Sequence, residues 1–172
     1  MARRSDHTRD EIKVMSIQAG RDIIRADGFS SFSARKVAKK IGYSVGTLYN
    51  VFKSHEDLIL HINAATLDEM YEFITKRAKK TNRGVESLIE LAECYIKFAN
   101  DNYNSWSALF EFNLPQNIAL PEWYTDKIKK LFILVYGKLS LTLFIKLFCV
   151  VSCKLFIFIA FFISLHTVII SL

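Results

Sequence analysis

Apolar residues recur at every third or fourth position through most of the chain, which is the spacing of one face of an α-helix. A first helix is predicted over residues 6–26, with an apolar face made of Ile12, Met15, Ala19 and Ile23. Similar stripes predict a long helix over 54–80 and another over 85–102. Before the last part of the chain, no stretch alternates apolar and polar residues as a half-buried strand does. The pattern therefore predicts an all-α fold.

Two short helices are predicted between the first and the long helix, within residues 33–52. Ser33 and Ser44 each stand where a hydroxyl can accept a hydrogen bond from free amides in the first turn of a helix. Gly28 and Gly42 are placed to end helices. The residues predicted to be buried are Val37, Ala38, Ile41, Leu48 and Phe52. Two helices joined by a tight glycine turn, the second about two turns long, match a helix-turn-helix.

The second short helix has an outward face that burial alone does not explain. Burial of Leu48 and Phe52 turns four other residues away from the core, namely Val45, Gly46, Tyr49 and Asn50. A glycine inside a helix costs roughly 1 kcal/mol relative to alanine. At Gly46, however, the missing side chain lets a phosphate or a base approach the backbone closely. The alternative is that Gly46 has only a structural role.

The side chains on and beside this face have chemistry that fits DNA. Val45 can contact a thymine methyl group, and Asn50 can form two hydrogen bonds with adenine. The hydroxyls of Thr47 and Tyr49 and the ammonium of Lys53 suit phosphate oxygens. Two alternatives stay open: a Tyr49 ring that packs on the fourth helix, and an Asn50 that is merely solvated.

Basic residues are concentrated in the first third of the 172-residue chain. The formal net charge of +6 permits a polyanionic partner. A solvated basic surface is the alternative. The residues concerned are Arg3, Arg4, Arg9, Lys13, Arg21, Arg25, Arg35, Lys36, Lys39, Lys40 and Lys53.

The segment GFSSFSARKVAKKIGYSVGTLYNVFKSHEDLI, residues 28–59, resembles the DNA-binding domain of the TetR/AcrR family of bacterial transcriptional regulators. The shared pattern F-S-x-R-x-V-A-x-x-I-G-x-S-x-G-T-L-Y-x-x-F-x-S-x-E-D-L extends over a whole supersecondary unit. The resemblance implies a three-helix DNA-binding head in residues 1–53, with the helix-turn-helix at about 33–52. A fourth helix from residue 54 would link the head to a helical regulatory domain in 54–137.

The same resemblance implies particular DNA contacts. Arg35 would reach DNA from the second helix, and the bases would face Val45, Gly46 and Asn50. Asn50 stands where an aromatic residue or a histidine is common in the family. The phosphates would lie along Ser44, Thr47, Tyr49, Lys53 and His55.

The stretches SWSALFEFNLP and LPEWY resemble the regulatory half of one TetR branch, up to about Gly137. The family's regulatory half usually accepts a small molecule and dimerises. Aromatic residues there can line a pocket for a small apolar ligand, but their helical spacing equally fits a packed core. The pocket candidates are Tyr95, Phe98, Trp106, Phe110 and Trp123.

Groups that could carry catalysis or bind a metal are scattered along the chain. The histidines are His7, His55, His61 and His166, and no cluster with a catalytic geometry is visible among the polar residues. We therefore expect no enzyme activity, no catalytic residues, no metal site and no cofactor. The three cysteines fit a reducing compartment. The charged N-terminus lacks the apolar core of a signal peptide, so we expect a cytoplasmic location.

Residues 138–172 form an apolar tail that departs from the family. After Asp126 the chain contains neither Asp nor Glu. Residues 155–172 approach the ~20 residues needed to span a bilayer, which would make the chain a membrane-attached helical protein. Alternatively, the tail forms buried helices or strands in a dimer. The sudden loss of acids favours a third interpretation, an out-of-frame or degraded end that leaves a truncated, inactive regulator.

The leading hypothesis from the sequence is a sequence-specific, DNA-binding transcriptional regulator. It would be a ligand-responsive repressor that binds a palindromic operator in double-stranded DNA as a homodimer.

Overall fold

The computed structural model describes residues 7–78, 85–115 and 119–136. These residues form α-helices and one short 3-10 helix, Phe29–Ser31, and no strand is present in these ranges, which confirms the all-α prediction. The helices are α1 Arg9–Asp27, α2 Ala34–Ile41, α3 Val45–Val51, α4 His55–Arg77, α5 Val85–Asp101, α6 Tyr103–Glu111 and α7 Glu122–Tyr136. The expected break at residues 81–84 and the apolar tail lie outside the described residues.

The start of α1 is later than the apolar stripe predicts, because a capping box fixes it. The amide of Thr8 donates to the Glu11 carboxylate at 2.6 Å, and the amide of Glu11 donates to the Thr8 hydroxyl at 3.3 Å. Two otherwise unpaired amides are thereby satisfied. These hydrogen bonds, above all the one from the Thr8 backbone, hold the pKa of Glu11 below its ordinary value.

The predicted helix ends are confirmed around α2 and α3. The hydroxyls of Ser33 and Ser44 accept hydrogen bonds from amides three residues later, at 3.2 and 3.1 Å. Gly28 and Gly42 have φ values of 79° and 77°, in the left-handed region that glycine tolerates best. Beyond Gly42, the amide of Tyr43 donates to the carbonyl of Ala38 at 3.0 Å.

The described helices divide into two compact units. The first contains α1, α2, α3, α4 as far as Thr66, and α6. The second contains the rest of α4, from Leu67, together with α5 and α7. The boundaries predicted from the sequence, at residues 53 and 137, stay a prediction.

The core of the first unit explains how α2 and α3 are held. The predicted burial of Leu48 and Phe52 is confirmed, since they are 0% and 1% exposed. Ile41 is only partly buried, at the edge of this core. α6 also belongs to the unit, because the side chain of Asn104 donates to the carbonyl of Arg25 at 3.0 Å. The buried cluster consists of Ala19, Ile24, Ala34, Val37, Ala38, Leu48, Phe52, Leu58, Ile62 and Ala108.

Apolar side chains and an ion pair between α4 and α7 contribute to the second unit. The Phe73 and Phe98 rings meet edge to face, with centroids 5.5 Å apart. The Lys127 ammonium donates to the Asp68 carboxylate at 2.8 Å and so joins α7 to α4. In the part of the chain that the structure describes, no helix has both the length and the apolarity needed to cross a membrane.

Gly20 lies where α1 packs against Ile62 of α4. A Cβ atom there would overlap the Cδ1 atom of Ile62 and come within 3.3 Å of the Phe32 ring.

Replacement of Gly20 by alanine would gain about 1 kcal/mol of helix propensity, whereas overpacking of the core costs about 1–3 kcal/mol. We therefore expect Gly20→Ala to lower the free energy of unfolding by about 1 kcal/mol in urea denaturation. A variant as stable as the parent protein would show that Ile62 moves aside at no cost.

Candidate nucleic-acid interface

The helix α3 exposes the face that the sequence predicts. With Leu48 and Phe52 in the core, Gly46, Tyr49 and Asn50 are exposed to solvent, and 44% of Tyr49 is accessible. Tyr49 is therefore not buried beneath the fourth helix. Three residues that can contact a partner thus lie side by side on a short, well-supported helix.

Val45 is less exposed than predicted. It is half-buried and packs against the core of the first unit. The reason is its position in the first turn of α3, where part of its side chain faces the same apolar cluster as Leu48. Only part of Val45 is available to a thymine methyl group.

The hydroxyls of Ser44 and Thr47 lie together at the start of α3. Ser44 accepts a hydrogen bond from the amide of Thr47 at 3.1 Å, and the two hydroxyl oxygens are 3.0 Å apart. Only one hydroxyl proton is used between the two oxygens. The other proton can therefore be donated to a phosphate oxygen while the helix cap stays intact.

Among the described residues, nothing requires a glycine at position 46. Its φ is not positive, and a Cβ atom there would meet only the Ser44 hydroxyl, at an ordinary 3.6 Å. Alanine would fit and would favour the helix by about 1 kcal/mol. The packing of the described residues therefore does not explain the glycine, and its role in partner contact stays a prediction.

The connection from α3 to α4 fixes the backbone of Lys53. The Asp57 carboxylate accepts a hydrogen bond from the Lys53 amide at 2.9 Å, and the Asp57 amide donates to the Ser54 hydroxyl at 3.2 Å. A hydrogen bond with Ser54 also holds the pKa of Glu56 below its ordinary value. The Lys53 side chain itself is exposed.

His55, another predicted phosphate contact, packs against an aromatic ring. It is half-buried at the start of α4, and its ring lies 5.8 Å from the Phe32 ring, centroid to centroid. This contact, between residues far apart in sequence, was not expected. A phosphate contact by His55 stays a prediction.

The α2 helix presents four exposed basic residues, Arg35, Lys36, Lys39 and Lys40. Two of them also have partners within the protein. The Lys36 ammonium donates to the Ser31 carbonyl at 2.8 Å, and Lys40 pairs with Asp22 at 3.0 Å. The hydrogen bond from Lys40 lowers the pKa of Asp22. The basic surface therefore has both structural and available charges, and the predicted DNA contact Arg35 is exposed.

Sequence reasoning missed the residues that hold the ends of α3. The His7 Nδ1 atom lies 2.7 Å from the Tyr43 hydroxyl, just before the helix. The Arg9 guanidinium donates to the carbonyl of Val51, the last residue of the helix, at 3.3 Å. The partners are 36 and 42 positions apart, so no local spacing could have indicated these pairs.

The predicted pocket residues fall in both units. Tyr95 and Phe98 are each 1% exposed in the second unit, which also contains the half-buried Trp123. Trp106 and Phe110 are half-buried on α6, in the first unit, with ring centroids 5.0 Å apart. Burial of Tyr95 and Phe98 agrees with a place in a packed core. The ligand pocket stays a prediction.

Within residues 7–78, 85–115 and 119–136, no three side chains of His, Cys, Asp or Glu are grouped so that they could hold a metal ion. Cys94 is buried, and desolvation raises the pKa of its thiol.

Comparison with known families identifies the region that contains the exposed face. Residues 17–62 match the model of bacterial regulatory proteins of the tetR family. The match begins within α1 and ends within α4, so it includes all of α2 and α3. This part of the chain is therefore similar to the DNA-binding domain of the tetR family. The resemblance inferred from residues 28–59 is thereby confirmed.

Solved structures share the fold. A protein of unknown function from a Rhodococcus species has a TM-score of 0.58 at 12% identity, covering 76% of this chain and 66% of that one. A candidate regulatory protein, SCO4313, also has a TM-score of 0.58, at 19% identity over 80% of this chain and 64% of that one. The TetR family transcriptional regulator PfmR from Thermus thermophilus has a TM-score of 0.52 at 17% identity, with coverages of 81% and 76%.

At these identities the structures show a common fold alone. This chain spans about two thirds of the length of the first two. No curated protein sequence matches it.

Because the space around Gly46 is open, the substitution Gly46→Ala should affect the free energy of unfolding and the affinity for DNA in different directions. Gly46→Ala should keep or raise the free energy of unfolding, by up to about 1 kcal/mol. Its affinity for duplex DNA should fall, because the added methyl group keeps the backbone of α3 away from the DNA. Urea denaturation and fluorescence anisotropy with labelled duplex measure the two quantities.

Gly20→Ala is the matched control, since the same substitution inside the unit should lower stability instead. An unchanged DNA affinity of Gly46→Ala would contradict the proposed close approach.

Proposed function

We propose that this protein is a TetR-family, sequence-specific transcriptional repressor that binds a palindromic operator as a homodimer and responds to a small apolar ligand. The observation that carries the proposal is the exposed face of α3, on which no described neighbour requires a glycine at position 46. A helix of this kind fits the major groove, which is about 12 Å wide.

The contacts proposed for the bases come from two helices. Asn50, exposed on α3, can donate to and accept from adenine in the major groove. Arg35, exposed on α2, can reach a base edge or a neighbouring phosphate. The accessible part of Val45 can contact a thymine methyl group. These side chains would determine which sequence is preferred.

The contacts proposed for the phosphates surround α3. The hydroxyls of Ser44 and Thr47 lie at its beginning, and Lys53 follows its end. Tyr49 can direct its hydroxyl to the backbone from the middle of the helix. Such contacts fix the position of a protein on the duplex but carry no sequence information. They would also make binding depend on salt, because each neutralised phosphate releases counterions.

The proposed dimer is supported by the small number of base pairs that one short helix can contact. α3 has only seven residues, so one copy can contact few base pairs. Two copies on half-sites one helical turn apart, about 34–36 Å, would read both halves of a palindrome. A ligand that binds one spacing of the two copies better than the other would shift the population and change operator affinity. A cytoplasmic location is part of the same proposal.

Loss of a phosphate contact and loss of a base contact should change DNA affinity in different ways. Lys53→Ala and Tyr49→Phe should weaken binding to all duplexes about equally, and Lys53→Ala should reduce the salt slope by about 1. Asn50→Ala and Arg35→Ala should instead relax the preference at particular base pairs, by about 1–3 kcal/mol each. The measurement is affinity at several salt concentrations for a selected operator and its single-base variants.

Lys76→Ala is the charge-matched control, because this exposed lysine of the second unit pairs with Glu72. It should leave affinity and salt slope unchanged. Unchanged affinity in all four variants of the helix-turn-helix would refute the proposed mode of binding.

A further inference from the structure

Two residues around the start of α1 contact the chain just before α3 and at its last residue. His7 lies next to Tyr43, with its Nδ1 atom 2.7 Å from the hydroxyl and the rings edge to face at 6.0 Å between centroids. Tyr43 immediately precedes Ser44, the N-cap of α3. Arg9 donates from its guanidinium to the carbonyl of Val51 at 3.3 Å. Residues 7 and 9 thus contact α3 just before its first turn and at its last residue.

The point from which both contacts start is itself fixed. Thr8, between His7 and Arg9, caps α1 and exchanges hydrogen bonds with Glu11 at 2.6 and 3.3 Å. Since the cap determines where the chain enters α1, it also restricts the directions of the two neighbouring side chains. The contacts on α3 therefore start from a helix terminus whose position is fixed by hydrogen bonds.

α3 needs such support because it is short. It has seven residues, of which Leu48 alone is buried. A helix of this length is not stable in water by itself. Its last carbonyls have no partners within the helix, and a cation there both donates a hydrogen bond and interacts favourably with the helix dipole. Arg9 satisfies one such carbonyl, that of Val51.

We propose that His7 and Arg9 are positioning residues for DNA recognition. They hold the two ends of α3 and thereby set the orientation of Gly46, Tyr49 and Asn50 before DNA arrives. This inference rests on the proposed function, because recognition by α3 is what the two residues would support. It assigns a role in binding to a segment that lies outside the helix-turn-helix itself.

The competing explanation for Arg9 is a direct phosphate contact, and salt dependence separates the two. A lost phosphate contact lowers the slope of log affinity against log salt by about 0.9 and weakens all duplexes alike. A lost positioning residue leaves the slope unchanged. It lowers affinity for the selected operator more than for an unrelated duplex, because base contacts demand the more accurate geometry.

We therefore expect Arg9→Ala and His7→Ala each to lower operator affinity about two- to tenfold, the effect of one hydrogen bond. Arg9→Lys should recover most of the loss, since an ammonium can also donate to the Val51 carbonyl. Tyr43→Phe removes only the hydroxyl that His7 contacts. The double variant His7→Ala, Tyr43→Phe should bind no worse than the weaker single variant.

Hydrogen exchange of the free protein tests the same contacts without DNA. Arg9→Ala and His7→Ala should speed exchange of the amides in residues 44–52 and leave those of α5 unchanged. If the parent protein binds no duplex, the proposed function fails, and exchange in α3 decides by itself whether the two contacts exist. Unchanged exchange, an unchanged operator preference, or a reduced salt slope in Arg9→Ala would overturn the positioning role.

Discussion

Burial of Leu48 and Phe52 is the constraint on which the exposed face of α3 depends. Each such side chain contributes about 1.5–3 kcal/mol when it is removed from water, more than a typical surface hydrogen bond at the helix ends. A seven-residue helix has little stability of its own. These two side chains therefore fix its rotation about its axis, and Gly46, Tyr49 and Asn50 face outward as a consequence.

Two glycines of the first unit, Gly20 and Gly46, have opposite surroundings. Gly20 is buried where α1 meets α4, and any larger residue would collide with Ile62. Gly46 is exposed on α3 with open space around it. The first glycine is explained by internal packing and the second is not. Only the second is therefore a candidate for contact with a binding partner.

Not every basic residue of the N-terminal region is available to a binding partner, because some of them pair within the protein. Lys36 and Lys40 have partners in the first unit. Arg9 also has one, the carbonyl of Val51 at the end of α3. Arg35 and Lys53 are exposed beside the helix-turn-helix. Cations in this region thus fall into two groups: some stabilise the arrangement of the helices, and others are exposed beside the helix-turn-helix. Net charge alone cannot distinguish them, because it does not depend on position.

The sequence by itself determined the helices, the serine caps, the glycine helix ends and the outward face of α3, because these depend on residues within about four positions of one another. Only the tertiary structure decided that Val45 is half-buried, that His55 packs on Phe32, and that Arg9 holds the end of α3. The last contact joins residues 42 positions apart. Such approaches are set by how whole helices pack on a common core, and no local pattern in the chain records them.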